Sequence, residues 1–199
     1  DLYRHPSGRM YSTRELERGY ENYPPRHSDD CDAQHLARAA RLAGDRFDWF
    51  GVAAVTALAD DLLRTATTRK LIGLAGIPGS GKSTFARLLV DELNRREPNV
   101  ATVVPMDGFH FTNRQLEAMW RRDFKGAPDT FDVDSYITLL RRLRDETQAA
   151  AYPIYDRHTH EPAPGGSVDP GVRIVITEGN YLLLDDAPWS QLEGVLDAS

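Results

Sequence analysis

The sequence predicts an α/β protein, a P-loop NTPase three-layer sandwich with a parallel sheet. Three observations predict it. From Lys70 onward, short apolar runs alternate with amphipathic stretches of helical period. A glycine-rich loop, Gly76-Ile77-Pro78-Gly79-Ser80-Gly81-Lys82-Ser83, stands between the first run and the first such stretch. Two later apolar runs lead into an acidic residue, Asp107 and Glu178. Strands separated by helices are joined by crossovers, which produce a parallel sheet covered on both faces. Ligands of such sheets gather at the carboxyl ends of the strands, where Gly76, Asp107 and Glu178 all fall.

Residues 1–50 read as an N-terminal extension of unknown role, and residues 51–199 as the core domain. Residues 1–30 hold Pro6, Pro24, Pro25 and many charges, a composition expected of loop. A short helix is expected over 32–43, with Leu36, Ala39, Ala40 and Ala43 on one side. His5, His27 and His35 read as surface residues. Residues 51–66 carry a helical stripe of Val52, Val55, Leu58, Ala59, Leu62 and Leu63. Leu71–Ala75 is a strand. Residues 82–95 form a helix with Phe85, Leu88, Leu89 and Leu93 on the sheet. Val100–Met106 is a second strand, 113–122 and 133–149 are helices, and Val172–Thr177 is a third strand.

Composition removes several function classes. The 199 residues carry 24 Lys and Arg against 30 Asp and Glu, a net charge of -6, which opposes general nucleic-acid binding. No apolar run approaches the roughly 20 residues of a membrane span. A single cysteine, Cys31, cannot form an internal disulfide, so a reducing compartment, the cytoplasm, is expected. The first residue is Asp1 rather than Met, and the chain is expected to begin inside a longer reading frame.

The glycine-rich loop fits G-x-x-x-x-G-K-[ST] at Gly76, Gly81, Lys82 and Ser83. Glycines let backbone N–H groups turn inward around phosphate oxygens, and the helix that follows points its positive end at the same anion. Lys82 is expected to neutralise the β- and γ-phosphates, and the Ser83 hydroxyl to ligate Mg²⁺. Asp107 is the candidate general base for a hydroxyl acceptor. Glu178 is the candidate carboxylate of the metal shell. His158 and His160 lie two apart with no cysteine nearby, a poor pattern for zinc.

Five tracts in this order resemble the phosphoribulokinase/uridine kinase family of P-loop kinases, which includes type I pantothenate kinase. They are Gly76–Thr84, Met106–His110, Lys125–Asp132, Pro153–His160 and Glu178–Leu184. The last is most similar to a bacterial subgroup labelled nucleoside/nucleotide kinase or fructose-transport-system kinase. The resemblance covers roughly residues 70–199 and implies ATP and Mg²⁺, with Gly76 through Thr84 around the nucleotide phosphates. It also implies Asp107 as catalytic base with Lys82, and Tyr155 and His160 against the acceptor. Arg157 departs from the aromatic residue of uridine kinases, which favours an acceptor with a negative or strongly polar group; Lys125 and Arg122 suit the same purpose. The family continues into a further strand and an arginine-bearing lid, so the C-terminal strands and lid are expected to be missing here. The expected reaction is phosphorylation of a hydroxyl on a small metabolite such as a nucleoside, a sugar or a pantothenate-like acceptor. A homodimer is the candidate assembly. The alternative is a regulatory GTPase or ATPase switch, although no Asn-Lys-x-Asp guanine motif occurs.

Overall fold

The computed structural model describes residues 2–4, 10–12, 52–144 and 148–198. The chain divides into two compact units, Asp1–Phe47 and Asp48–Ser199. In the first, β1 (Leu2–Arg4) pairs antiparallel with β2 (Met10–Ser12). The helix expected over 32–43, Cys31, His5, His27 and His35 lie outside the described residues.

The second unit opens with α1 (Val52–Thr65) and continues through β3 (Lys70–Ala75), α2 (Lys82–Arg96) and β4 (Ala101–Pro105). A 3₁₀ turn, Met106–Phe109, follows, then α3 (Asn113–Ala118) and α4 (Val133–Arg142). β5 (Ala150–Asp156) and β6 (Glu161–Val168) come next, and β7 (Ile174–Gly179) closes the series. The main sheet has the order β3-β7-β4, with β7 parallel to both neighbours. The strand latest in sequence is therefore the central one, and all six of its residues are buried.

Side-chain alternation along β7 builds two cores. Ile174 and Ile176 join Ile72, Ala86, Leu89, Leu93, Val55 and Ala59 on the side covered by α1 and α2. Val175 joins Leu71, Val104, Phe131, Tyr136, Ile137, Leu140 and Trp189 on the other side. Full burial of each large aliphatic side chain contributes about 1.5–3 kcal/mol, so the two faces together hold β7 in register. At the amino ends of the strands, buried Arg69 donates to the carbonyls of Val172, Leu143, Asp169 and Pro170 at 2.6–2.9 Å. The last described residues run along the free edge of β3: Gly73 N–H donates to Ala198 O at 2.8 Å, and Ile72 and Ala198 form a parallel bridge. No described helix is long and apolar enough to cross a membrane.

Two expectations are corrected. The helix expected over 113–122 ends at Ala118. Trp120 takes a left-handed conformation (φ 56°) while Arg121 N–H reaches back to Leu116 O, a Schellman stop made without glycine. The helix expected over 133–149 ends at Arg142. The tract from Pro153 to His160 lies in a β-hairpin, β5 pairing antiparallel with β6 across a register shift at Tyr152/Pro153. This hairpin sits on the 3₁₀ turn after β4. A Cβ on Gly108 would lie 1.8 Å from the Pro153 carbonyl oxygen, a backbone atom with no room to retreat. Tyr152 Oη ties the hairpin to β4 by donating to Val103 O at 2.9 Å.

Gly108→Ala is expected to destabilise the protein by about 2–3 kcal/mol through overpacking, a fall of roughly 5–10 °C in Tm. Gly171→Ala, at a position with open space around it, is expected to leave Tm within about 2 °C. Thermal unfolding followed by circular dichroism checks both.

Candidate active site

The glycine-rich loop joins the carboxyl end of β3 to the first turn of α2. Gly79 (φ 76°) and Gly81 (φ 90°) adopt left-handed backbone that L side chains disfavour. Gly81 occupies the N-cap of α2 with no side-chain cap, so the N–H groups of the first turn are left for a ligand. Residues Ile77 through Ser80, Pro78 among them, are exposed, and Gly76 and Thr84 are half-buried.

Lys82 and Ser83 are held by the end of β7. Lys82 Nζ donates to Ile77 O and to Asn180 Oδ1, both at 2.9 Å. Ser83 Oγ donates to Glu178 Oε1 at 3.0 Å. Glu178 lies opposite both Leu74 of β3 and Pro105 of β4 and is only 6% exposed. Burial raises its pKa first, and the charge of Asp107 raises it further. The Ser83 hydrogen bond and the Lys82 and Arg157 charges oppose them. A buried carboxylate beside a hydroxyl, with a second carboxylate in electrostatic reach, is a hard-oxygen donor set that suits Mg²⁺. Among the described residues no group of three or more His, Cys, Asp and Glu side chains could hold a metal, so phosphate and water oxygens would complete the shell.

Asp107 sits in the 3₁₀ turn beyond β4, exposed at the carboxyl end of the sheet. Its charge acts on Glu178, Tyr155 and His110, which places these four groups around one region. On the hairpin side, Lys125 Nζ donates to Asn113 Oδ1 at 2.8 Å and to the carbonyl of His160, and it lies 5.4 Å from the Tyr155 ring centroid. Burial lowers the Lys125 pKa and Arg122 lowers it further, against Glu161. Glu161 is itself engaged, accepting from Asn113 N–H at 2.7 Å.

Of the residues read from the sequence for the acceptor, the structure brings Lys125, Tyr155 and the backbone of His160 together. The His160 side chain lies at the exposed hairpin tip, in left-handed backbone (φ 55°). Arg157 is exposed at the same tip, within electrostatic reach of Glu178.

Sequence reasoning missed Asn180 as the partner of Lys82. The signal was its spacing of two from Glu178, which in extended backbone puts both on one side. It also missed His110, whose ring packs between Phe131 (centroids 4.0 Å) and Tyr155 (4.9 Å). His110 Nδ1 lies 2.8 Å from Asp107 O, a carbonyl that only accepts, so Nδ1 carries the proton.

Residues 71–197 match the model of the Phosphoribulokinase / Uridine kinase family. The chain belongs to this family. Over 129 residues it is 41% identical to a provisionally named uridine kinase of Schizosaccharomyces pombe, covering 61% of this chain and 55% of that one. Over 127 residues it is 30% identical to the pantothenate kinase of Coxiella burnetii, covering 63% and 35%. A crystal structure of a provisionally named fructose transport system kinase from Silicibacter sp. TM1040 aligns at 38% identity and a TM-score of 0.66, over 72% of both chains. The chain spans about half the length of the first two curated relatives that it matches. The expected P-loop kinase fold is thereby shown.

Burial lowers the His110 pKa most; Lys125 lowers it too, against the Asp107 carbonyl bond and charge. A depressed histidine pKa means that the unfolded chain binds the proton more readily. His110 therefore contributes stability above the unfolded histidine value, and that stability is lost as pH falls through the folded one. At pH 7 a long-range ¹⁵N–¹H correlation spectrum is expected to show His110 neutral with its proton on Nδ1. A proton on Nε2, or a titration above that of an unfolded histidine, would contradict the geometry.

Proposed function

We propose that this site transfers the γ-phosphoryl group of ATP to a hydroxyl of a small metabolite. The observation that supports the reading best is the convergence of Glu178 and Asp107 beside a phosphate loop whose Lys82 and Ser83 are already held from β7. The loop amides and Lys82 would bind the triphosphate. The Asp107 carboxylate would accept the proton of the acceptor hydroxyl as its oxygen attacks the γ-phosphorus and the bond to the β–γ bridging oxygen breaks, releasing ADP. Ser83 and Glu178 would hold Mg²⁺, which supplies charge neutralisation for the transferring phosphoryl group. Lys125, Tyr155, Arg157 and His160 would border the acceptor, and the hairpin that carries three of them would set its orientation.

The reported relatives name different acceptors, so the panel that tests the reading contains uridine, pantothenate and D-fructose, with D-glycerate as a further small hydroxyl acceptor, offered with ATP and Mg²⁺ to the full-length protein. With the acceptor that is turned over, Asp107→Asn is expected to lower kcat by about 10²–10⁴-fold and to leave nucleotide affinity within about two-fold. Unchanged turnover in that variant would overturn the assignment of the base.

A further inference from the structure

The end of β7 contacts two consecutive loop residues: Glu178 takes Ser83, and Asn180 takes Lys82. The first pairing belongs to the metal shell already described. The second has no role in it. Lys82 is a donor only, so the Asn180 atom that faces it at 2.9 Å is the amide oxygen. That assignment directs the two N–H donors of the same amide elsewhere. Among the described residues no hydrogen bond leaves them. Asn180 is half-buried, and its amide adjoins the ammonium that would neutralise the terminal phosphates.

We propose that Asn180 is a positioning residue that reads the terminal phosphoryl group: its oxygen orients Lys82, and its NH₂ donates to a γ-phosphoryl oxygen that Lys82 neutralises. This rests on the reading of the loop as a triphosphate site. The chemistry matches the need. A donor aimed at the γ-phosphoryl group stabilises charge on its equatorial oxygens, and its side chain is fixed beforehand by the lysine and the strand end. ADP lacks that group, so the interaction discriminates ATP from ADP.

Two variants separate this from a structural role. Asn180→Ala removes both halves of the amide. Asn180→Asp keeps an acceptor for Lys82, removes the donors and adds a negative charge. Calorimetric titration of MgATP and MgADP into each folded protein is expected to show ATP binding weakened about 10-fold or more in both variants. ADP binding to Asn180→Ala should weaken by less than about three-fold, so that the preference for ATP shrinks. Equal weakening of both nucleotides in Asn180→Ala, or wild-type affinity in both variants, would overturn the proposal. Lys82→Ala tests the reading beneath it: loss of both nucleotides in that variant supports the triphosphate site. Wild-type affinity for both would overturn that reading, and the role of Asn180 with it.

Discussion

β7 is hydrogen-bonded on both sides, to β3 and to β4, and both of its faces are buried. That parallel pairing brings the carboxyl ends of three strands to one edge of the sheet, and the site depends on it. The loop leaves β3, Asp107 leaves β4, and Glu178 and Asn180 lie between them at the end of β7. A carboxylate placed there is desolvated, which alone would be costly. The Ser83 hydroxyl and the nearby Lys82 charge offset part of that cost, and a divalent cation would offset more. The same burial that raises the Glu178 pKa would make it receptive to a hard cation.

Around this edge the molecule adds a second structure of different character. The β5–β6 hairpin packs on the turn that carries Asp107, with no atom to spare between Gly108 and Pro153. Through this contact the position of the candidate base and the position of Tyr155 are mechanically linked. Lys125 closes the arrangement by bridging Asn113 and the His160 carbonyl. His110, packed between aromatic rings and bonded to the Asp107 carbonyl, fastens the base to the aromatic cluster rather than to solvent. One half of the site is a phosphate-type loop anchored on the parallel sheet, and the other is a hairpin that brings Tyr155 and the His160 carbonyl to Lys125.

The sheet, the loop and both acidic strand ends were legible in the sequence, because buried parallel strands are short apolar runs and the loop needs glycines at fixed spacing. The hairpin was not. Pro153, Pro162, Pro164, Gly165 and Gly166 disfavour a strand by local propensity, yet a two-stranded ribbon has free edges that tolerate proline, and Gly166 leaves space for the Tyr152 ring. The stop of α3 was hidden because Trp120, rather than a glycine, supplies the left-handed residue. The run from Ala149 to Ala151 favours helix by local propensity, but pairing with β6 overrides it. Asn180 and His110 were missed for another reason: each matters through a partner distant in sequence, Lys82 in one case and Phe131 and Tyr155 in the other.

If the loop is a triphosphate site completed by Ser83 and Glu178, binding energy must reside in the phosphates and in the metal that bridges them. Calorimetric comparison of ATP and AMP, each with and without Mg²⁺, measures this directly. The account predicts that ATP binds at least about 10-fold more tightly than AMP and that Mg²⁺ strengthens ATP binding but not AMP binding. AMP bound as tightly as ATP, with no effect of Mg²⁺ on either, would contradict it.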